Sequence, residues 1–117
     1  ALASILAGST QVQGTINGYG ERVGNCNLTT VIPNLQLKMN RPMVADISKL
    51  SHMASFVDDL ANCAHNIRAP YVGATAFAHK GGMHVNAVQK VAHSFEHVRP
   101  VECPDESGGT RPARGER

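Results

Sequence analysis

The sequence predicts an α/β protein, and three observations carry that reading. Leu2, Ile5 and Leu6 fall at i, i+3 and i+4 with Gly8 just beyond, the pattern of a closing helix. Residues 10–16 alternate Val12, Gly14 and Ile16 with Gln11, Gln13 and Thr15, which suits a strand with one apolar and one polar face. Residues 14–25 then crowd four glycines, two asparagines, a glutamate and an arginine ahead of a capped helical segment. Helix, short turn, strand, glycine-rich loop and helix in that order make one βα step. In a closed barrel such a strand packs its outer face under helices, and its polar inner groups line the site at its C-terminal end.

The loop is the stretch around which the rest is arranged. Glycine admits positive φ and close approach of backbone to a ligand, so a loop this rich in it holds polar groups where other residues resist. The same glycines would equally serve a plain connecting turn. The loop is no Walker-type phosphate loop, because no Gly-Lys-Ser/Thr closes it, and Gly18, Gly20 and Gly24 do not fit the dinucleotide fingerprint.

Asn27 reads as the N-cap of a helix running to about Met39, with Val31, Ile32, Leu35 and Leu37 apolar and Pro33 expected to kink it or shift its regular start. Asn40-Arg41-Pro42 breaks the pattern and marks a domain boundary or linker. Asp46 or Ser48 caps a second helix whose expected buried stripe is Leu50, Met53, Ala54, Val57, Leu60, Ala61 and Ala64, with Met53 and Phe56 as core contacts. Residues 66–70 read as a loop and residues 71–77 as extended or irregular. A third helix is expected from about Met83 to Ala92, with Val85, Ala87, Val88 and Val91 on its buried face. After Pro100 glycine, proline and charge dominate, too polar to offset ordering entropy, and the reading is a disordered tail or an altered reading frame.

Composition narrows the class. The 117 residues are 42% hydrophobic but only 4% aromatic, without tryptophan, so the expected core is thin and aliphatic. The formal charge of +2 is scattered, which argues against a nucleic-acid partner. Cys26, Cys63 and Cys103 show neither a zinc nor a disulfide spacing, and no apolar run nears the ~20 residues that span a bilayer. A soluble cytoplasmic protein without a membrane partner is expected. The missing initial methionine and the uncapped opening helix read as a fragment. His93 and His97 have the i, i+4 spacing of a helical metal site but lack the accompanying frame.

Two long motifs carry a family resemblance. Gln13-Gly14-Thr15-Ile16-Asn17-Gly18-Tyr19-Gly20-Glu21-Arg22-Val23-Gly24-Asn25 resembles the last barrel-strand signature of the isopropylmalate, citramalate and homocitrate synthase family. Phe77-Ala78-His79-Lys80-Gly81-Gly82-Met83-His84-Val85 resembles its second signature, and the wording of both is nearest the citramalate branch. The resemblance spans residues 1–99. It implies the last strand-helix unit of a TIM (β/α)8 barrel over residues 1–40, a mainly helical linker subdomain over 41–99, and a departing tail over 100–117.

It also implies an acyltransferase that condenses acetyl-CoA with a 2-oxo acid, a divalent metal (Mg2+, Mn2+ or Zn2+) polarising the keto group. Isopropylmalate or homocitrate synthesis, or a non-catalytic interaction module, are the alternatives. By the same resemblance Asn25 matches the asparagine at or near the metal. Thr15, Glu21 and Arg22 are substrate-binding positions, the last two either touching substrate or shaping the loop as a salt bridge. His84 matches the catalytic histidine of the helical subdomain, which relatives place over the neighbouring subunit's site, so a homodimer is implied. The family's early metal-binding aspartate, its His-x-His, its substrate arginine and its catalytic glutamate are absent from these residues. Phe95 stands where many relatives carry tyrosine.

Overall fold

A computed structural model describes residues 1–78, 86 and 89–91. Helix α1 (Leu2–Leu6) ends as expected. Gly8 adopts φ +109°, and its N–H reaches the Ile5 carbonyl at 3.1 Å while that of Ser9 reaches Ser4 at 2.9 Å, the paired closure that a left-handed residue after a helix permits.

The expected strand over residues 10–16 does not form, and no strand occurs among the described residues. One parallel bridge, Thr15 to Asn27, is all that remains of sheet pairing there. Thr15 N–H donates to the Cys26 carbonyl at 3.0 Å, and Leu28 N–H donates to the Thr15 carbonyl at 2.9 Å. The physical reason is that alternation supplies a face but not a partner: a ladder needs a second strand, and no described residues offer one.

Helix α2 (Leu28–Pro33) opens on Asn27, whose side chain accepts from Thr29 N–H at 2.9 Å and from the Thr29 hydroxyl at 2.6 Å. Pro33 neither starts nor breaks the helix. Instead the pitch widens immediately after it, and Asn34–Lys38 form a π-helical turn, one way a helix absorbs a missing donor. The chain stops at Met39 and leaves through Asn40 at φ +51°, which agrees with the expected break.

Asp46 caps the next segment, accepting from Ser48 N–H at 3.0 Å. A short 3-10 turn, Ile47–Lys49, leads into α3 (Leu50–Leu60). Its buried face differs from the expected stripe. Leu50, Ser51, Ala54 and Asp58 are inside, whereas Met53, Phe56 and Leu60 are 46, 51 and 72% exposed. The expected core roles of Met53 and Phe56 are therefore corrected. The capping turn fixes where the helix starts, and the rotation that buries Ile47 and Leu50 carries Met53 and Phe56 outward by helical spacing.

The core is small. Ile47 and Leu50 meet Ile32, Leu37, Tyr71, Val72 and Phe77, while Leu35, in the turn that follows α2, is 1% exposed. Tyr71 donates its hydroxyl to Asn34 Oδ1 at 3.0 Å, and the Ser51 hydroxyl donates to the Val72 carbonyl at 3.2 Å, so the irregular residues 71–77 are tied to both helices. Both α2 and α3 touch the turn Ile16–Gly18, which places the glycine-rich loop between them. The expected third helix lies largely outside the described residues, as does the tail, but Val91, expected on its buried face, is 60% exposed, which corrects that placement.

Candidate active site

Asn17 and Gly18, at φ +59° and +75°, turn the loop over so that its side chains face α3. Asn17 Nδ2 donates to the Ala54 carbonyl at 2.8 Å and to Asp58 Oδ1 at 2.5 Å. The Tyr19 hydroxyl donates to the same Oδ1 at 2.7 Å. From the other side the His65 ring meets Asp58 Oδ2 at 3.0 Å. His65 is there because α3 ends in a reversal: Asn62 sits at φ +53°, and Cys63 N–H returns to the Asp58 carbonyl at 3.0 Å.

Asp58 is thus a buried carboxylate with donors on both oxygens. Burial pushes its carboxyl up, but hydrogen bonds from His65, Tyr19 and Asn17, with the His65 charge, outweigh burial and hold it below the ordinary range. The bond to Asp58 pushes the Tyr19 phenol well above its ordinary value, helped by lost hydration and by the Cys63 thiol. The two shifts agree: the phenol keeps its proton and the carboxylate its charge. A cavity of about 270 Å³ opens beside this cluster, lined by Asn17, Tyr19, Ser51, Asp58 and His65 among others.

The sequence-predicted residues among those described stand apart from the cavity lining. Thr15 is half-buried and its hydroxyl donates to the Tyr19 carbonyl at 2.5 Å. Glu21 and Arg22 are exposed at the tip, Arg22 at φ +58°, and no ion pair joins them, so the salt-bridge account of that pair is corrected. Both side chains are exposed, where a single pair gains little. Asn25 is exposed and its Nδ2 donates to the Tyr19 carbonyl at 3.1 Å. None of these four lines the cavity. His84 lies outside the described residues, as do His79, His93 and His97.

Asn25 passes one structural test for a metal ligand. A Cβ on Gly20 would come within 2.3 Å of Asn25 Nδ2, so this glycine is the cradle in which the amide rests. Nδ2 is committed to the Tyr19 carbonyl, and Oδ1, on an exposed residue, takes no hydrogen bond from the described residues; it is the oxygen a hard cation takes. That fits one ligand of several. Among the described residues no three of His, Cys, Asp and Glu come together to supply the others.

Asn17, Tyr19, Asp58 and His65 were not legible as a group. The available signals were Asn17-Gly18, a dipeptide suited to left-handed turns, and an aspartate four residues after Ala54 on a buried row.

Comparison with known proteins follows the loop motif. An HMGL-like family model matches residues 1–57. The chain is 50% identical over 103 residues to the (R)-citramalate synthase of Synechocystis sp. and 50% over 102 residues to that of Geobacter sulfurreducens, in each case over 86% of this chain and 19% of the relative. It is also 34% identical over 105 residues to the 2-isopropylmalate synthase of Proteus mirabilis, over 86% of this chain and 20% of the relative. The chain thus carries an HMGL-like domain over residues 1–57 and is homologous to (R)-citramalate and 2-isopropylmalate synthases. It spans about a fifth of the length of the curated relatives it matches. No helix among the described residues is long and apolar enough to cross a membrane.

Proposed function

We propose that this chain is part of an acyltransferase that condenses acetyl-CoA with a 2-oxo acid, pyruvate giving citramalate, in branched-chain amino-acid synthesis. The observation that carries the reading is the 50% identity to (R)-citramalate synthases across both motifs. Residues 1–40 would close a TIM barrel, in which neighbouring strands give residues 10–16 the partners they lack here. Residues 41–99 would form the helical subdomain, with residues 100–117 outside it. A cytoplasmic homodimer, with a neighbouring subunit's His84 over each site, completes the proposal.

In the condensation the methyl group of acetyl-CoA gives up a proton and its carbon bonds to the keto carbon of the 2-oxo acid. The keto oxygen takes up a proton, and water then cleaves the thioester to release CoA. A bound divalent cation would supply charge stabilisation at the keto oxygen. Asn25 offers it one oxygen, and no described residue completes the set. Arg22, exposed at the loop tip, suits the substrate carboxylate, Glu21 and Thr15 position polar groups beside it, and His84 moves the proton.

The test is release of the CoA thiol by the whole enzyme with a series of 2-oxo acids. Pyruvate should show the highest kcat/KM. Preference for a branched 2-oxo acid would favour the isopropylmalate reading, which the 34% identity to that synthase keeps open. No thiol release with any of them would leave an interaction module.

A further inference from the structure

We infer that Asp58 and Tyr19 are positioning residues that set the Asn25 amide for cation binding, Asp58 acting from helix α3 through the Tyr19 main chain. The inference rests on the reading of Asn25 as a ligand and extends it to residues that touch neither metal nor substrate.

The path is continuous. Asp58 Oδ1 accepts from the Tyr19 hydroxyl at 2.7 Å, across 39 positions of sequence. Asn17 Nδ2 holds the same oxygen and the Ala54 carbonyl, so residues flanking Gly18 are both fixed to α3. Tyr19 is therefore anchored at its ring, and its carbonyl has a defined place. That carbonyl accepts from two donors, the Thr15 hydroxyl at 2.5 Å and Asn25 Nδ2 at 3.1 Å. An amide whose nitrogen is committed cannot flip without losing that bond, so its oxygen keeps the other position of the amide. Gly20 leaves the space in which this happens, since any Cβ there would strike both Nδ2 and Cγ of Asn25. The Asn25 backbone is held as well, its N–H donating to the Gly18 carbonyl at 2.8 Å.

The carboxylate is suited to the role because both of its oxygens are engaged. His65 at 3.0 Å occupies its second oxygen, which leaves it shared among protein donors and only 8% exposed. Partners that orient a ligand in this way are worth ~10–100-fold in metal affinity.

The experiment measures Mn2+ affinity of the metal-free whole enzyme by the free-ion electron paramagnetic resonance signal, without substrate. Tyr19→Phe deletes the ring anchor and keeps the carbonyl; it should weaken Mn2+ binding ~10-fold. Asp58→Ala should weaken it at least as much, Asp58→Asn less because an acceptor oxygen remains, and Tyr19→Phe with Asp58→Ala no more than Asp58→Ala alone. Gly20→Ala should reproduce the loss with the Asp58 contacts intact. Leu35→Ala, which destabilises the core without touching the loop, separates loss of folding from loss of positioning and should bind as the parent does. Parental affinity in folded Tyr19→Phe and Asp58→Ala, with affinity lost in Asn25→Ala, overturns the positioning role alone. Parental affinity in Asn25→Ala overturns the ligand reading and this inference with it.

Discussion

Asp58 stands on a row of α3 where periodicity calls for an apolar side chain, and it is tolerated there only because three donors meet it. Its carboxyl is held below the ordinary range, so the folded state binds that proton less readily than the unfolded chain does. Stability from this group is thus present above the ordinary aspartate range near ~4 and drains as pH falls through the lower, folded value. The acid limb of a thermal-stability profile of the whole enzyme should therefore flatten in Asp58→Asn. For the ligand, Asn25→Ala should shift the metal-activation curve, with ~10–100-fold weaker affinity; an unchanged curve makes Asn25 a loop residue. For His84, replacement by Ala should lower kcat ~10²–10⁴-fold with little change in the KM for the 2-oxo acid. Hybrid dimers with a mutant lacking a barrel metal ligand should regain activity, and verified hybrids without activity would remove the cross-subunit arrangement.

Among the elements, helix ends were the most legible and faces the least. Asn27 and Asp46 cap where their side chains say they should, because a cap is satisfied by backbone two residues on and needs no distant partner. Asn27→Ala would also leave the Thr29 hydroxyl, on a residue 1% exposed, without its acceptor. The expected cost is about 2 kcal/mol in unfolding free energy, read from denaturant titration of the whole enzyme. The outer face of α3 was misjudged because Leu50, Met53, Ala54, Phe56, Val57 and Leu60 surround much of the helix and offer two plausible apolar stripes. Contacts from α2 and residues 71–77 choose between them, and the sequence of α3 contains neither.

For the molecule as a whole, the buried apolar side chains among the described residues are Val31, Pro33, Leu35, Ile47, Leu50 and Ala54, while Leu6, Val23, Met53, Phe56 and Leu60 are largely open to solvent. So little burial does not hold a chain against its conformational entropy. The 117-residue chain by itself should melt broadly in circular dichroism and aggregate on sizing, and a sharp transition from a soluble monomer would contradict this. The loop motif, its glycines, the caps and the family were legible in the sequence because each is written in neighbouring residues. Only the tertiary structure decided that residues 10–16 form no strand, that α3 turns Asp58 inward, and that Asp58 grips Tyr19. Those outcomes depend on partners some 40 positions away, whose geometry local pattern does not carry.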